Sequence, residues 1–143
     1  MAQEPDCLFC RIVRGELPSA QIDEDERTFT FMDINPASDG HALVIPKAHA
    51  SDLHDVTPED LAACSLTAQR VAGRAVKHLG ADGVNLLNCA GETAWQTVFH
   101  FHIHVVPRFR DSPDRDSLRL PWTPTPGDPA RIAVAADLLR STS

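Results

Sequence analysis

Three histidines alternate with apolar residues between positions 99 and 107, where the chain reads Phe-His-Phe-His-Ile-His-Val-Val-Pro. His100, His102 and His104 are therefore spaced two residues apart. Because a β-strand sends alternate side chains to opposite faces, this spacing predicts that the three imidazoles share one face. The apolar side chains of the opposite face are predicted to enter the core: Phe99, Phe101, Ile103 and Val105. Imidazole changes its charge near neutral pH and serves as nucleophile, acid, base or metal ligand. The stretch is therefore the strongest indication of function in the chain.

The residue types alone leave three interpretations of these histidines open. The imidazoles can line a polar sheet face, bind a metal ion or act on a substrate. Two histidines spaced two apart on a strand can share one ion, as in zinc enzymes with three histidine ligands. His100 and His104, however, would lie about 13 Å apart along an extended strand. All three histidines cannot bind one ion without distortion, so at least one is free for other work.

Two further groups of residues have types that can do chemistry. Cys7 and Cys10 form a Cys-x-x-Cys pair, which is half of a zinc site, a redox pair or two unrelated buried thiols. The flanking sequence lacks the strand before a helix that a thioredoxin-like redox motif requires. His41 opens a predicted strand directly after a turn, and His49 follows the end of that strand. Each of these two histidines, taken alone, is typical of a protein surface.

The elements that must position these residues are short strands around one long helix. The pattern predicts helices over 7–13, 58–79 and 128–140, and strands over 21–23, 27–32, 41–45, 83–88 and 97–106. The helix from Pro58 to Leu79 has the clearest signals, with Thr57 as N-cap and Gly80 as its stop. Strands before and after one long helix, joined mostly by hairpins, predict an α+β fold with an antiparallel sheet.

Length and composition limit the class of protein. The 143 residues are 43% hydrophobic and 23% charged, which is typical of one ordinary globular domain. The net charge of −7 disfavours a nucleic-acid partner, because such proteins present a basic face to phosphates. The apolar runs are too short for a membrane helix, and the first residues lack the pattern of a secretory signal. We therefore expect no membrane partner, a cytoplasmic location, and thiols or ligands rather than disulfides.

Several motifs in this order resemble the histidine-triad (HIT) family. The residues that carry the resemblance are Phe31-Met-Asp33-Ile34-Asn-Pro, Gly-His41-Ala-Leu-Val-Ile-Pro-Lys-Ala-His49, Leu-Asn88, Gln96-Thr97-Val98-Phe99 and the histidine stretch. The likeness runs from about residue 6 to residue 108, and we expect 109–143 to add a loop and a helix to the same single domain. The branch that it resembles most is that of bacterial Hint-type proteins that begin with Cys-x-x-Cys.

The resemblance implies a fold, a metal site and an assembly. The fold is a five-stranded antiparallel sheet with one long helix and a C-terminal helix, and the chain pairs as a homodimer. A zinc ion would be held by Cys7, Cys10, His49 and His100. This Cys₂His₂ set leaves no open position on a tetrahedral zinc, so the metal would be structural. His102 and His104 would then stay free of the ion.

The resemblance also implies a reaction and the roles of the site residues. The substrates would be nucleoside 5′-phosphoramidates or related nucleoside monophosphate conjugates, cleaved through a covalent nucleotidyl-histidine to release AMP. His102 matches the nucleophile, His104 the residue at the phosphate and leaving group, and His41 a supporting histidine. The matching substrate-binding residues are Asn88 beside the histidines, Gln96 and Thr97 at the phosphate, Asp33 at the ribose, and Phe9, Ile12, Phe31 and Ile34 around the base.

Three alternatives remain open beside this function. The chain can be a dinucleoside polyphosphate hydrolase that uses the same nucleophile, or a zinc-stabilised module that binds nucleotides without turnover. It can also be a metallohydrolase with three histidine ligands, in which case chelators would abolish turnover itself rather than lower stability.

Trp95 departs from the family pattern. The family commonly has glycine directly before the Gln-Thr/Ser-Val stretch, and a large indole is not expected to adopt the positive φ that glycine allows. The sequence therefore predicts one of two outcomes. Either the loop over 89–96 takes a different path, or Trp95 adds a wall on the leaving-group side. The Pro-rich segment around Trp122 is expected to approach the site of a partner subunit.

Overall fold

The computed structural model describes residues 3–119 and 126–140. Its elements follow in this order: α1 (Leu8–Val13), β1 (Gln21–Glu24), β2 (Thr28–Met32), β3 (Ala42–Pro46), α2 (Pro58–Leu79), β4 (Gly83–Leu87), a short 3₁₀ helix (Glu92–Ala94), β5 (Ile103–Arg108) and α3 (Pro129–Leu139). The strands form one sheet in the order β1-β2-β3-β5-β4, and every neighbouring pair is antiparallel. The predicted α+β fold is therefore confirmed, including the five-stranded antiparallel sheet, the long helix and the C-terminal helix.

The long helix α2 has the predicted bounds because both of its ends are capped by its own sequence. The Thr57 hydroxyl accepts a hydrogen bond from the backbone N–H of Asp60, and Pro58 occupies the first turn. Gly80 ends the helix in the left-handed conformation, with φ 69°. The buried face of α2 packs against β3 and β5, where Val44 and Val105 belong to the same hydrophobic cluster.

Alternation along β3 and β5 divides the sheet into two faces. Val44 and Val105 face α2, whereas Leu43 and Ile45 pack on the opposite side with the aromatic residues of β2. His104 lies opposite Leu43 in the register of β3 and β5. Because Leu43 belongs to the opposite face, its strand partner His104 also lies on the face away from α2.

The histidine stretch differs from the predicted strand over 97–106. The strand β5 begins only at Ile103, because Phe101 donates its backbone N–H to the carbonyl of Ala50 instead of joining the ladder with β3. The two-residue alternation nevertheless extends upstream of the strand, so Phe101 is buried in the α2 cluster. Phe99 was expected in the core but is 51% exposed, because the chain bends over 98–100 before the alternation begins.

The remaining segments carry less information about the site. The helix α3 begins after the N-cap Asp128, as predicted, and none of its residues is buried. In the described part of the chain no helix is long and apolar enough to cross a bilayer. All four cysteines are free, as expected. The predicted role of Trp122 falls on positions 120–125, which lie outside the described residues.

Candidate active site and metal centre

A cleft of about 350 Å³ lies on the sheet face that carries Leu43. Its walls come from α1, from the end of β2 and the segment that follows it, and from the histidine stretch. The predicted site residues that line it are Phe9, Ile12, Phe31, Asp33, Ile34, Thr97, His102 and His104. Three other predicted site residues do not line it: His41, Asn88 and Gln96. The structure therefore brings most of the predicted residues to one cavity, whereas the other three do not line it.

His102 is buried at the cleft with one of its ring nitrogens already engaged. Its Nδ1 lies 2.7 Å from the carbonyl oxygen of His100. A carbonyl only accepts hydrogen bonds, so Nδ1 carries the proton and Nε2 keeps its lone pair. Asn88 donates its side-chain amide to the carbonyl of His102 itself at 2.9 Å and so fixes this residue from outside the cleft. Burial lowers the pKa of His102, which keeps the ring neutral.

His41 and His104 form a directed hydrogen-bond relay. The backbone N–H of Ala37 donates to His41 Nδ1 at 3.0 Å, so the proton of His41 sits on Nε2. That Nε2 donates to His104 Nδ1 at 2.9 Å, which leaves the proton of His104 on its own Nε2. Asp33 lies 3.5 Å from His41 Nε2. The relay therefore makes His104 a proton donor where it lines the cleft, next to the lone pair of His102.

Burial keeps the relay neutral. It lowers the pKa of His41, with the carboxylate of Asp33 opposing the effect, and it lowers the pKa of His104 to about 4. Repulsion from His102 and His41 contributes to the low pKa of His104 after burial, because a charge on any one of these rings would repel a charge on the next.

The apolar end of the cleft is formed by aromatic and branched side chains. Phe9 and Phe31 are buried and meet edge to face, with ring centroids 5.2 Å apart. Ile34 is 89% exposed at the rim, beside Asp33. Ile34 and the two buried rings line the same cleft and make this end of it an apolar slot, which suits an apolar planar group. The slot contains the four residues that the resemblance assigned to the base.

The loop before the histidine stretch is held by Gln96 rather than being open to ligand. The side chain of Gln96 accepts from the N–H of Gly91 and donates to the carbonyls of Ser51 and Val98, and its own N–H donates to the Gly91 carbonyl. Because these groups are satisfied within the protein, the side chain of Gln96 positions the loop. Thr97 is exposed and lines the cleft.

Trp95 adopts the backbone conformation that the sequence argued against. It ends the 3₁₀ helix with φ 75° and ψ 20°, in the left-handed region, and its N–H donates to the carbonyl of Glu92. The expectation that an indole cannot replace glycine here is therefore wrong. The side chain of Trp95 is 76% exposed. It does not line the described cleft, and the wall on the leaving-group side is not seen.

A second group of side chains meets at the end of the histidine stretch away from His104. One ligand atom each from Cys7, Cys10, His49 and His100 lies within 4.8 Å of all the others. The nitrogen–sulfur distances are 3.3 Å from His100 Nδ1 to Cys7 and 3.5 Å to Cys10, and 3.5 Å from His49 Nδ1 to Cys10. A tetrahedral zinc with ordinary bond lengths would separate sulfur and nitrogen ligands by about 3.6 Å. The donor set therefore fits such an ion.

The surroundings of this group also suit a cation. His100 Nε2 lies 2.8 Å from the carbonyl of Pro46, so it carries the proton and Nδ1 offers its lone pair to the sulfurs. Backbone N–H groups of Glu4 and Cys10 point at the two sulfurs. Burial raises the pKa of Cys10 to about 11, and a bound cation would offset the cost of its thiolate.

Asp33, His41 and His104 are also close enough to suggest a metal site, but their geometry is that of a relay. The ring centroids of His41 and His104 are 5.1 Å apart while the facing nitrogens are 2.9 Å apart. The two nitrogens therefore point almost directly at each other, and one ion cannot lie on both lone pairs. This arrangement disfavours one metal ion held jointly by His41 and His104.

A model of the HIT domain matches residues 14–111 of this chain. The chain belongs to the HIT domain family. The matched range includes the relay and the cleft histidines, whereas Cys7 and Cys10 precede it.

Curated proteins similar to this HIT chain include two named enzymes. The adenylylsulfatase HINT3 of Arabidopsis thaliana is 42% identical over 103 residues, which cover 72% of this chain and 52% of that protein. The adenosine 5′-monophosphoramidase HNT1 of Saccharomyces cerevisiae is 38% identical over 116 residues, which cover 81% of this chain and 69% of that protein. The chain thus spans about half the length of the Arabidopsis protein.

Solved HIT structures share the fold over nearly the whole chain. A protein from Streptococcus mutans UA159 superposes with a TM-score of 0.87 at 37% identity, covering 97% of this chain and 86% of that one. A zinc-bound histidine triad family protein from Mycobacterium smegmatis superposes with a TM-score of 0.74 at 39% identity, covering 95% of this chain and 98% of that one.

Some parts of the HIT site were not predicted from the sequence. Leu17, Pro18 and Ser19 line the cleft from the segment after α1, where no periodic pattern marks them. The bond from Ala37 that fixes the His41 tautomer is made by a backbone group, which leaves no signal in residue type. The residues typical of turns around position 37 were the only indication that a backbone N–H there is left free to donate to a side chain.

Proposed function

We propose that this protein is a nucleotide hydrolase that cleaves nucleoside 5′-phosphoramidates and related nucleoside monophosphate conjugates through a covalent intermediate on His102. The observation that carries the proposal is the hydrogen bond from His102 Nδ1 to the carbonyl of His100. It leaves a neutral imidazole at the cleft with its Nε2 lone pair unused, which is the form of histidine that attacks phosphorus.

The first step forms a bond between His102 Nε2 and the α-phosphorus and breaks the bond from phosphorus to the leaving nitrogen. Attack makes the ring of His102 cationic, and the carbonyl of His100, still accepting from Nδ1, stabilises that charge. His104 gives its Nε2 proton to the departing amine, because a neutral amine leaves more readily than an amide ion. The transfer leaves His104 as an imidazolate, and its negative charge is offset by the hydrogen bond that Nδ1 accepts from His41 Nε2 and by the cationic ring of His102.

The second step is hydrolysis of the nucleotidyl-histidine. His104 has lost its proton to the amine, so its Nε2 can now accept a proton from water. The oxygen of that water attacks phosphorus, the bond to His102 Nε2 breaks, and a nucleoside monophosphate is released. Both histidines return to their starting tautomers, and the proton balance of the cycle closes.

The electrostatics of the cleft favour a substrate with a single negative charge at the reacting phosphorus. Among the described lining residues there is no lysine or arginine, and Asp33 adds a carboxyl group. The donors offered to phosphate are the hydroxyl of Thr97 and the Nε2–H of His104. A phosphoramidate has one charge there, whereas a polyphosphate chain brings several that the cleft does not offset. This observation favours the phosphoramidate over a dinucleoside polyphosphate.

The proposed product is AMP, bound with its base in the apolar slot and its ribose beside Asp33. Support for adenine comes from the two named relatives, an adenylylsulfatase and an adenosine 5′-monophosphoramidase, whose names both refer to an adenine nucleotide. Asp33 can accept hydrogen bonds from ribose hydroxyls, since one of its oxygens already accepts from the N–H of Asn35 and fixes its orientation. The slot of Phe9, Ile12, Phe31 and Ile34 would hold the base.

We also propose that zinc occupies the cysteine–histidine centre as a structural ion. Cys7, Cys10, His49 and His100 would hold it, and four protein ligands leave no open position for substrate or water. The zinc-bound relative from Mycobacterium smegmatis supports this choice of metal. The ion would tie the residues before β1 to the histidine stretch, so chelation is expected to lower stability.

Turnover of two substrates tests the proposal. The purified protein is given AMP linked through a phosphoramidate bond to the ε-amine of a lysine derivative and, separately, a diadenosine polyphosphate. We expect release of AMP from the first with a kcat/KM at least tenfold above that for the second. His102→Ala should lower the phosphoramidate rate by 10³-fold or more.

His78→Ala is the matched control, because that histidine is exposed on α2 away from the cleft. Its turnover should equal that of the unmodified chain. A higher kcat/KM for the diadenosine polyphosphate would identify a dinucleoside polyphosphate hydrolase instead. Tight AMP binding without any turnover would identify a binding module. Loss of kcat in a chelator at saturating substrate, with the fold intact by circular dichroism, would contradict the proposed structural role of the metal, whereas a rise in KM alone would not.

A further inference from the structure

Phe9 lies between the candidate metal centre and the cleft. It is buried, and its ring meets the rings of His100 and His102 edge to face, with centroids 5.9 Å and 5.3 Å away. One of these histidines belongs to the cysteine–histidine centre and the other lines the cleft. In sequence Phe9 sits between the two cysteines of that centre. A single side chain therefore contacts both sites.

The helix α1 that carries Phe9 is attached to the sheet by apolar packing and by the sulfurs of its two cysteines, since Phe9 is a buried member of the cluster that Phe29 and Phe31 of β2 also form. It has six residues, which is too short to be stable in isolation. In the described part of the chain, the side-chain hydrogen bonds from α1 and its N-cap to the sheet side of the molecule all run through the sulfurs of Cys7 and Cys10 to His49 and His100. Leu8, Phe9 and Ile12 from the same helix line the cleft. The sulfurs thus provide the polar attachment of this wall of the apolar slot, beside the apolar packing of Phe9.

We propose that a metal ion in the cysteine–histidine centre and a nucleotide in the cleft bind cooperatively, because both order α1, with Phe9 as the positioning residue between them. The inference rests on the proposed function, since it requires that the base occupies the slot. Whichever ligand binds first orders the helix, so the second has less ordering left to do. Such coupling is reciprocal, and each ligand must tighten the other by the same factor.

The coupling is local to α1 rather than a consequence of folding as a whole. The hydrophobic cluster between α2 and the sheet contains no residue of α1. Loss of the metal should therefore loosen the helix and the slot while the sheet stays folded. A ligand that fills only the phosphate and ribose positions would not engage Leu8 or Ile12 and should not sense the metal.

Zinc affinity measured with and without nucleotide tests the proposal directly. The full chain competes for Zn²⁺ with a chromophoric chelator in buffer, in saturating AMP, or in saturating ribose 5-phosphate, with no turnover involved. We expect AMP to tighten Zn²⁺ binding by about tenfold and ribose 5-phosphate to leave it unchanged. The Kd of AMP should improve by the same factor when the chelated protein is reloaded with Zn²⁺.

Two phenylalanines of one cluster provide the matched variants. Phe9→Leu should bring the coupling factor close to one and raise KM more than it lowers kcat. Phe29→Leu removes a ring that contacts Phe31 but neither histidine, and it should keep the tenfold factor.

The remaining outcomes overturn the inference in distinguishable ways. Equal tightening by ribose 5-phosphate would show that the metal acts through global folding. A factor of one with AMP in the unmodified chain would show that the two sites are independent. No AMP binding to the zinc-loaded protein would overturn the proposed function as well.

Discussion

At the scale of single residues, the site depends on which nitrogen of each ring carries the proton. His102 and His104 have the same side chain and lie two positions apart, yet their partners assign them opposite roles. A backbone carbonyl holds the proton of His102 on Nδ1, whereas His41 donates to Nδ1 of His104. One ring thus offers a lone pair to the cleft and the other offers an N–H, which is the pair that a displacement at phosphorus needs.

The buried histidines predict how stability depends on pH. Burial lowers the pKa of His104 to about 4, against about 6.5 in the unfolded chain. Between pH 6.5 and pH 4 the imidazole of His104 is protonated in the unfolded chain and neutral in the folded chain. The free energy of unfolding therefore falls as the pH falls from 6.5 toward 4. Each such proton contributes a slope of about 1.4 kcal/mol per pH unit.

The comparison that isolates this proton is His104→Gln against the unmodified chain. The free energy of unfolding in urea is measured for both at pH 7.0, 6.0 and 5.0. As the pH is lowered, we expect the free energy of unfolding of the unmodified chain to fall more steeply than that of His104→Gln, by up to about 1.4 kcal/mol per pH unit. Parallel curves for the two proteins would mean that His104 is not held neutral by the fold.

At the scale of elements, the sequence predicted what its own residues encode locally. The helix α2 has the predicted bounds because Thr57 and Gly80 cap it, and the sheet faces follow from alternation in β3 and β5. The predicted start of β5 was wrong, because the true start depends on a backbone hydrogen bond from Phe101 to Ala50, fifty-one positions earlier in the chain. Long-range backbone bonds of this kind have no signature in residue type.

The site residues could also be predicted only where residue type and local spacing mark them. The alternating histidines and the Cys-x-x-Cys pair indicated two sites, and the resemblance assigned their members. The inward hydrogen bonds of the Gln96 side chain could not be predicted, because whether a polar side chain faces a ligand or its own loop depends on tertiary packing.

The loop at Trp95 provides a prediction about stability. This residue holds φ 75°, and the left-handed conformation costs an L-residue about 1 kcal/mol while glycine adopts it freely. Trp95→Gly should therefore raise the free energy of unfolding by about 0.5–1 kcal/mol. Trp95→Ala removes the same indole and keeps the backbone cost, so it should show no gain. Equal stability of the two variants in urea would show that the φ value is not the cause.

At the scale of the whole molecule, the open edge of the sheet and its exposed side chains suggest a surface for a second copy of the chain. The strand β4 lies at one edge, and its Leu86 is 48% exposed. An unpaired strand with an apolar side chain is a template for pairing with another chain. We expect a homodimer built on this edge, in line with the family resemblance.

Light scattering after size exclusion tests the dimer. The unmodified chain should have twice its 15.6 kDa mass, and Leu86→Arg should be a monomer. Ile22→Arg is the control, because Ile22 is similarly exposed, at 42%, on β1 at the opposite edge, and it should remain a dimer. A monomeric unmodified chain, or equal dissociation of both variants, would reject the β4 interface.

The most direct measurement of the central claim is the site of the covalent adduct. The protein is mixed with a slow nucleoside phosphoramidate, quenched under alkaline conditions that preserve phosphohistidine, digested and mapped by mass spectrometry. We predict one nucleotidyl group, on His102, that is absent from His102→Ala and accumulates in a variant with impaired hydrolysis of the intermediate. An adduct on any other residue, or turnover without an adduct, would contradict the proposed chemistry.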